Sequence, residues 1–238
     1  MSSIADILNQ FESKRVLVVG DAMIDAYMWG EVNRMSPEAP VPIVEINKRE
    51  SRLGGAANVA LNIQSLGATP ILFSSIGSDH YGDLFLKLMK EQNLSTEGIQ
   101  RISDRNTTVK TRIISDNKHV LRVDEEEVSM VQDEKIIKGL KNMILNDHFD
   151  VIIFEDYNKG LLSEKLIKEL KKSKISDECV ILLLFRVRPI SPSSPLSWKL
   201  QGWASRRINY LIIGDEKLEV HAFWKPGFNQ QPLILDEC

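Results

Sequence analysis

The chain has 238 residues, 43% hydrophobic and 26% charged, with a formal net charge of -3, which suits one domain with a full core, or one domain with a small appendage. Such mild acidity excludes the broad basic footprint of a nucleic-acid binder but leaves room for a local basic patch that holds a small anion. Two cysteines outside any CxxC pair, four scattered histidines and no apolar run of about 18 residues offer no disulfide framework, no histidine metal site and no membrane span, and Met1 to Glu12 lacks a signal peptide's basic start and apolar run, so a cytoplasmic protein is expected.

In chain order, "RVLVVG", Arg15 to Gly20, is a short apolar run ending at Gly20-Asp21, the form of a buried strand that stops at a turn. "VPIVEI", Val41 to Ile46, predicts a short strand with no helix behind it. In "ESRLGGAANVALNIQSLG", Ala56, Val59, Ala60 and Ile63 fall on one helical face, and Gly67 supplies the stop. Gly54 and Gly55 precede the first turn, where unpaired N–H groups point outward and a ligand can approach the backbone closely. Asn58 lies within that turn and offers both a donor and an acceptor. The spacing alone fits a glycine turn before a tightly packed small-residue helix equally well.

"PILFSSIG" reads as the next strand, and "DHYGDLFLKLMKEQN" as a helix with the stripe Leu84, Phe85, Leu88 and Met89. "TTVKTRIISDNKHVLRVDEEE" predicts two strands joined at Asp116-Asn117. Behind Asp133-Glu134, Ile136, Ile137, Leu140, Met143 and Ile144 keep a helical period; "DVIIFED" is a strand; Ser163 N-caps a helix carrying Leu166, Ile167 and Leu170; "CVILLLF" is a further strand. Strands alternating with amphipathic helices predict an α/β layered fold around a mainly parallel sheet, with a small antiparallel element attached.

Parallel α/β sheets bind ligands beyond the carboxyl ends of their strands, which selects Asp21 and Asp25 after the first strand and Glu155, Asp156, Tyr157 and Lys159 after "DVIIFED". The plainer alternatives are that Asp21 caps a turn, Asp25 lies on a solvated edge and "EDYNKG" is a polar loop. Neither G-x-G-x-x-G nor G-x-x-x-x-G-K-[ST] occurs. Lys110 and Arg112 share a strand face, as do Arg122 and Asp124 on the partner strand. Lys110, Arg112 and Arg122 together suit a phosphate, arginine offering a bidentate fork, or else form a solvated face that discourages edge aggregation.

"VLVVGDAMIDAYMWG", "RMSPEAPVPIVEI", "GGAANVALNIQSLGA", the two-strand stretch and "EDYNKGLLS", in that order, resemble the ribokinase-like (PfkB) carbohydrate kinases. Within them, "SPEAPVP" followed by "GGAANVA" is most similar to the D-glycero-β-D-manno-heptose 7-phosphate kinases, which serve the ADP-heptose of lipopolysaccharide. The resemblance spans about Lys14 to Ile175. It implies ATP-dependent phosphorylation, with Mg2+, of the anomeric hydroxyl of a sugar already phosphorylated at its far end. By that resemblance Asp25, Gly54, Gly55 and Asn58 hold sugar hydroxyls, at least one of Lys110, Arg112 and Arg122 meets the sugar phosphate, and Asp156 and Lys159 lie near the transferring phosphates. The strands near 27–46 and 107–124 would form a lid that closes over the sugar, excluding water, and that meets a second subunit in a homodimer. No nucleic-acid or membrane partner is implied.

The family's late G-A-G-D element, whose aspartate acts as general base, does not occur, nor do its D-P-K and N-x-x-E elements. The expected organisation is therefore a ribokinase-like sugar-binding core over 1–177 and an atypical tail over 178–238, truncated, frame-shifted or replaced, or else strongly diverged, that contains the aperiodic "RVRPISPSSPLSW". Gly214-Asp215 imitates part of the missing element, but "EKLEVHAFW" alternates like a strand, which points to a hairpin turn. A kinase of another sugar, or a non-catalytic module that binds a sugar phosphate or dimerises, remains the alternative.

Overall fold

The strand β1 (Arg15–Gly20) carries a continuous apolar run because both of its faces are covered: Leu17 and Val19 enter one buried cluster, Val16 and Val18 the other. A computed structural model describes residues 4–131, 134–171, 179–186, 208–215 and 217–221. "RVRPISPSSPLSW" from Val187 onward, and Trp203 and Trp224 of the same tail, lie outside the described residues.

A short helix α1 (Ile4–Asn9) precedes β1, and two 14-residue strands follow it, β2 (Ala22–Met35) and β3 (Pro42–Gly55). Next come α2 (Ala56–Ser65), β4 (Thr69–Gly77), α3 (His80–Glu91), β5 (Ile99–Ile102), β6 (Val109–Ser115) and β7 (Lys118–Glu125). The chain continues through α4 (Glu134–Asn146), β8 (Val151–Asp156), α5 (Glu164–Lys171), β9 (Val180–Arg186), β10 (Ile208–Asp215) and β11 (Lys217–His221).

Seven strands form one sheet in the order β11-β10-β9-β8-β1-β4-β5, parallel except at β10 and β11. Helices α4 and α5 cover one face through Ile136, Ile137, Leu140, Ile144, Leu166, Ile167 and Leu170. Helices α2 and α3 cover the other through Ala56, Ala57, Ala60, Phe85 and Met89. Ser163 caps α5 as the sequence predicts, its Oγ accepting from the Leu166 N–H at 3.2 Å. Asp215 pairs with Lys217 as β10 turns back into β11, so Gly214-Asp215 leads into a hairpin and opens no helix.

A four-stranded sheet, β3-β2-β6-β7, stands beside the layers. Its hairpins are antiparallel, and Asp116 and Asn117 take φ of 51° and 57° at the β6–β7 turn, the left-handed pair such a tight turn requires. Its middle pair, β2 and β6, is parallel, so the sheet is mixed where an antiparallel element is expected from sequence. The expected short strand Val41–Ile46 extends to Gly55, because β2 supplies a partner along its whole length, from Met35↔Pro42 to Ala22↔Gly55. The polar stretch Asn47–Arg52 has no apolar alternation that would reveal a strand.

Candidate functional site

Asp21, buried just past the end of β1, ties three segments together at the carboxyl edge of the parallel sheet. Its Oδ2 accepts from the N–H groups of Tyr157 and Lys159, both at 3.0 Å, and its Oδ1 from that of Leu161 at 3.2 Å. Its backbone N–H donates to the Glu155 carbonyl, and its carbonyl accepts from Ala56 N–H at the start of α2. Burial raises the pKa of this carboxyl above the ordinary value, against the three backbone donors and nearby Arg105, which lower it. Asp21 thus caps a loop, the plainer of its two sequence readings, and that loop carries Lys159.

The two glycines ahead of α2 serve close approaches within the chain. A Cβ on Gly54 would lie 2.5 Å from Asp25 Oδ2, so the bare backbone leaves room for that carboxylate. Gly55 has a φ of 60°, and a Cβ there would run into the Asp21 carbonyl oxygen. Asn58, in the first turn of α2, is exposed, whereas Ala56, Ala57 and Ala60 are buried. The small residues therefore seat the helix, and the polar one at its amino end faces outward.

Asp25 is paired rather than left on a solvated edge: Arg112 Nη1 donates to its Oδ1 from β6. Tyr27 and Trp29 follow at alternate positions on β2 and stack, with ring centroids 5.5 Å apart. Arg112 and Arg52 lie over the Tyr27 ring at 5.3 and 5.0 Å, and Lys48 lies over Trp29 at 4.5 Å. One face of the four-stranded sheet is thus a strip of aromatic rings edged with cations.

Glu126 joins the four-stranded sheet to the loop after β8. Its Oε2 accepts from Lys110 Nζ at 2.8 Å and pairs with Lys159 Nζ at 2.7 Å. Burial works to raise the Glu126 pKa, but the two ammonium groups outweigh it and bring it down to about 2. Lys110 also donates to Asp124 Oδ2 at 3.1 Å, and Arg122 Nη2 reaches the same oxygen at 3.0 Å. Burial would likewise raise Asp124, and Lys110 and Arg122 hold it below the ordinary value. Arg105 pins the neighbourhood by donating to the carbonyls of Ser129, Glu127 and Lys159.

Asp156, at the end of β8, accepts from Asn158 N–H at 2.7 Å. Its pKa is pushed up to about 6, chiefly by burial, with the Asn158 bond lowering it and the charge of Asp21 raising it. Among the described residues, no group of three or more His, Cys, Asp or Glu side chains could hold a metal ion, and no helix is long and apolar enough to cross a membrane.

Asp25 therefore meets Gly54 and Arg112; Lys110 meets Lys159 through Glu126; Arg122 joins Lys110 at Asp124. Glu126, Arg105, Tyr27 and Trp29 were not singled out from sequence. The two-residue alternation that groups Arg122 with Asp124 also reaches Glu126, and the same alternation puts Tyr27 and Trp29 on the face of Asp25. Arg105 lies outside the strands and helices, where no periodicity could single it out.

Comparison with known proteins places this geometry. "Bifunctional protein HldE" of Desulfatibacillum aliphaticivorans is 45% identical over 165 residues, which cover 68% of this chain and 33% of that protein. Its namesake from Helicobacter pylori (strain G27) is 42% identical over 159 residues, covering 66% of this chain and 34% of the relative. The chain spans about a third of the length of the curated relatives it matches. In fold it is similar to Arabidopsis thaliana ribokinase, solved with ribose and ATP, at a TM-score of 0.57 and 12% identity, covering 93% of this chain and 77% of that one. The pfkB family carbohydrate kinases match residues 13–196, a stretch that contains both sheets' site-bearing strands, Asp21 and the loop it caps. By that match the chain belongs to the pfkB family of carbohydrate kinases.

Proposed function

We propose that the chain binds a phosphorylated sugar of the heptose 7-phosphate type at the carboxyl edge of its parallel sheet. It does so as the sugar-binding part of a kinase that transfers the γ-phosphoryl group of ATP to the anomeric hydroxyl. The observation that carries the reading is the nesting of the Asp25 carboxylate against Gly54, with exposed Asn58 in the next turn of chain. Carboxylate, bare backbone and amide together offer acceptors and donors to a polyhydroxylated ligand.

Asp25, Gly54, Gly55 and Asn58 take the sugar hydroxyls in this reading, and Lys110, Arg112 and Arg122 its phosphate. Lys159 and Asp156 serve the transferring phosphates. ATP with Mg2+ supplies the phosphoryl group, and the ammonium of Lys159, held at the sheet edge, suits the charge of the nucleotide phosphates. Mg2+ is commonly held by one or two protein carboxylates and the substrate's own phosphates. The sequence has no G-A-G-D, so no residue is assigned as the base that takes the acceptor proton, and turnover by this chain is expected to be weak or absent. The activity belongs in the cytoplasm, ahead of the nucleotidyl transfer that makes ADP-heptose for lipopolysaccharide.

A second reading, a module that binds sugar phosphate without turnover and dimerises through the four-stranded sheet, is favoured by the sheet's other face. There Leu121 and Val123 of β7 are 55% and 42% exposed, on the side that Ile113 and Met28 share through the register. Calorimetry with D-glycero-β-D-manno-heptose 7-phosphate, beside an assay of ATP turnover, separates the two. Binding with turnover above a protein-free control supports the kinase, binding alone supports the module, and folded protein that binds no sugar phosphate overturns both.

A further inference from the structure

Lys110 and Lys159 come from separate elements, β6 and the loop after β8, yet converge on one oxygen of Glu126 at 2.8 and 2.7 Å. Their side chains are only 11% and 12% exposed. Two ammonium donors aimed at a single carboxylate oxygen reproduce the arrangement in which lysines meet a phosphate oxygen. Any phosphate that reaches this pair has to compete with the carboxylate already there.

The surroundings make that exchange local. Asp124, the other carboxylate on Lys110, also has Arg122 Nε at 2.9 Å and keeps a cation when Lys110 turns elsewhere. The backbone beyond Glu126 is pinned, because Arg105 donates to the carbonyls of Glu127 and Ser129 and to that of Lys159 itself. The Glu126 side chain can therefore rotate away without moving the strand or the loop. With Glu126 withdrawn, Lys110, Lys159 and Arg122 bring three positive charges and Asp124, paired with Lys110 and Arg122, one negative charge, an excess of two that matches a phosphate monoester dianion.

We propose that Glu126 is a built-in stand-in for a phosphate group: it occupies the Lys110–Lys159 anion site and swings out when a phosphate monoester takes its place. This rests on the reading that Lys110 and Lys159 meet substrate phosphates, and it adds an intramolecular competitor that sets their affinity. Exchange of Glu126 for ligand also replaces the carboxylate bridge between the four-stranded sheet and the core loop with a ligand bridge. Arg105 keeps the segment after β7 and the loop joined throughout, so the exchange changes only the anion that bridges Lys110 and Lys159.

The test uses the full chain, inorganic phosphate as the probe, and thermal melts to establish folding. Calorimetry should show Glu126→Gln binding phosphate about tenfold more tightly than the parent chain, since a charged competitor is lost. Adding Lys159→Met to that variant should abolish the gain. Equal or weaker binding by Glu126→Gln overturns the proposal. Where Glu126→Gln fails to fold, Glu126→Asp decides: its shorter arm reaches one lysine at a time, so phosphate should bind about threefold more tightly, and no gain overturns the proposal.

Repeating the titrations with heptose 7-phosphate and with ATP identifies the source of the phosphate as whichever ligand gains. Heptose 7-phosphate binding that Glu126→Gln leaves unchanged, with no gain for ATP or phosphate, retains the proposed function and overturns the stand-in. A gain for inorganic phosphate in a protein that never binds heptose 7-phosphate retains the stand-in and overturns the sugar reading.

Discussion

Gly54 and Asp25 meet across β2 and β3 so closely that a methyl group on the glycine would lie 2.5 Å from the aspartate Oδ2. Gly54→Ala should push the Asp25 carboxylate out of its nest and break its pair with Arg112. Heptose 7-phosphate should then bind at least roughly tenfold more weakly, the effect of misplacing a charged hydrogen-bonding group. Unchanged affinity by calorimetry would show that the room at Gly54 serves packing alone.

Asn58→Ala tests the amide at the start of α2 without disturbing the packing behind it. The side chain is exposed, so urea unfolding should shift by no more than about 0.5 kcal/mol. Sugar-phosphate affinity should nevertheless fall. A loss of stability with intact affinity would reverse the assignment.

Asp21→Ala should do the opposite, because three backbone N–H groups lose their acceptor, that of Leu161 buried and those of Tyr157 and Lys159 half-buried. Each buried donor left unpaired costs about 1–3 kcal/mol, so a loss of several kcal/mol in urea unfolding is expected. Hydrogen exchange should quicken first at Tyr157, Lys159 and Leu161. A variant as stable as the parent would mean that the loop finds other acceptors.

Asp156 gives a pH dependence of definite sign. Its pKa is about 6 in the folded protein against an ordinary 3.8, so between these values the native state holds a proton that the unfolded chain has released. The stabilising contribution of the protonated form is present below about 3.8 and is lost as pH rises through about 6. Across pH 5 to 7, stability should therefore fall with rising pH, and Asp156→Asn should remove a part of that fall on the order of 1 kcal/mol. The lowered carboxylates Glu126, Asp124, Asp79 and Asp150 act in the opposite sense and only at lower pH, outside this window. Identical pH profiles for parent and variant would show that Asp156 titrates normally.

The layered core was legible in the sequence because its signals are local and repeated. Ile136, Ile137, Leu140 and Ile144 mark a helix by spacing alone, and the buried run from Val16 to Val19 marks a two-sided strand. The mixed sheet was not, because strand β3 owes its length to pairing with β2, and polar residues from Asn47 to Arg52 carry no period of their own. The glycines ahead of α2 were located correctly and explained only in part: sequence can show that side chains are missing, but not that Asp25 and Asp21 come into the space. Lys110 and Lys159 could be picked out separately, while Glu126, which makes them one site, depends on a contact between distant parts of the chain.

The parallel pairing of β2 with β6, from Ile24↔Val109 to Gly30↔Ser115, has a kinetic consequence. Each hairpin of the four-stranded sheet can zip from its own turn, but the two cannot join until α2, β4, α3 and β5, which lie between them in the chain, have been laid down. Contacts that close so long a loop form late and slowly. In refolding, amide protection at the β2–β6 seam should therefore trail that within either hairpin, making the face that carries Asp25, Tyr27 and Arg112 among the last parts of the molecule to be assembled.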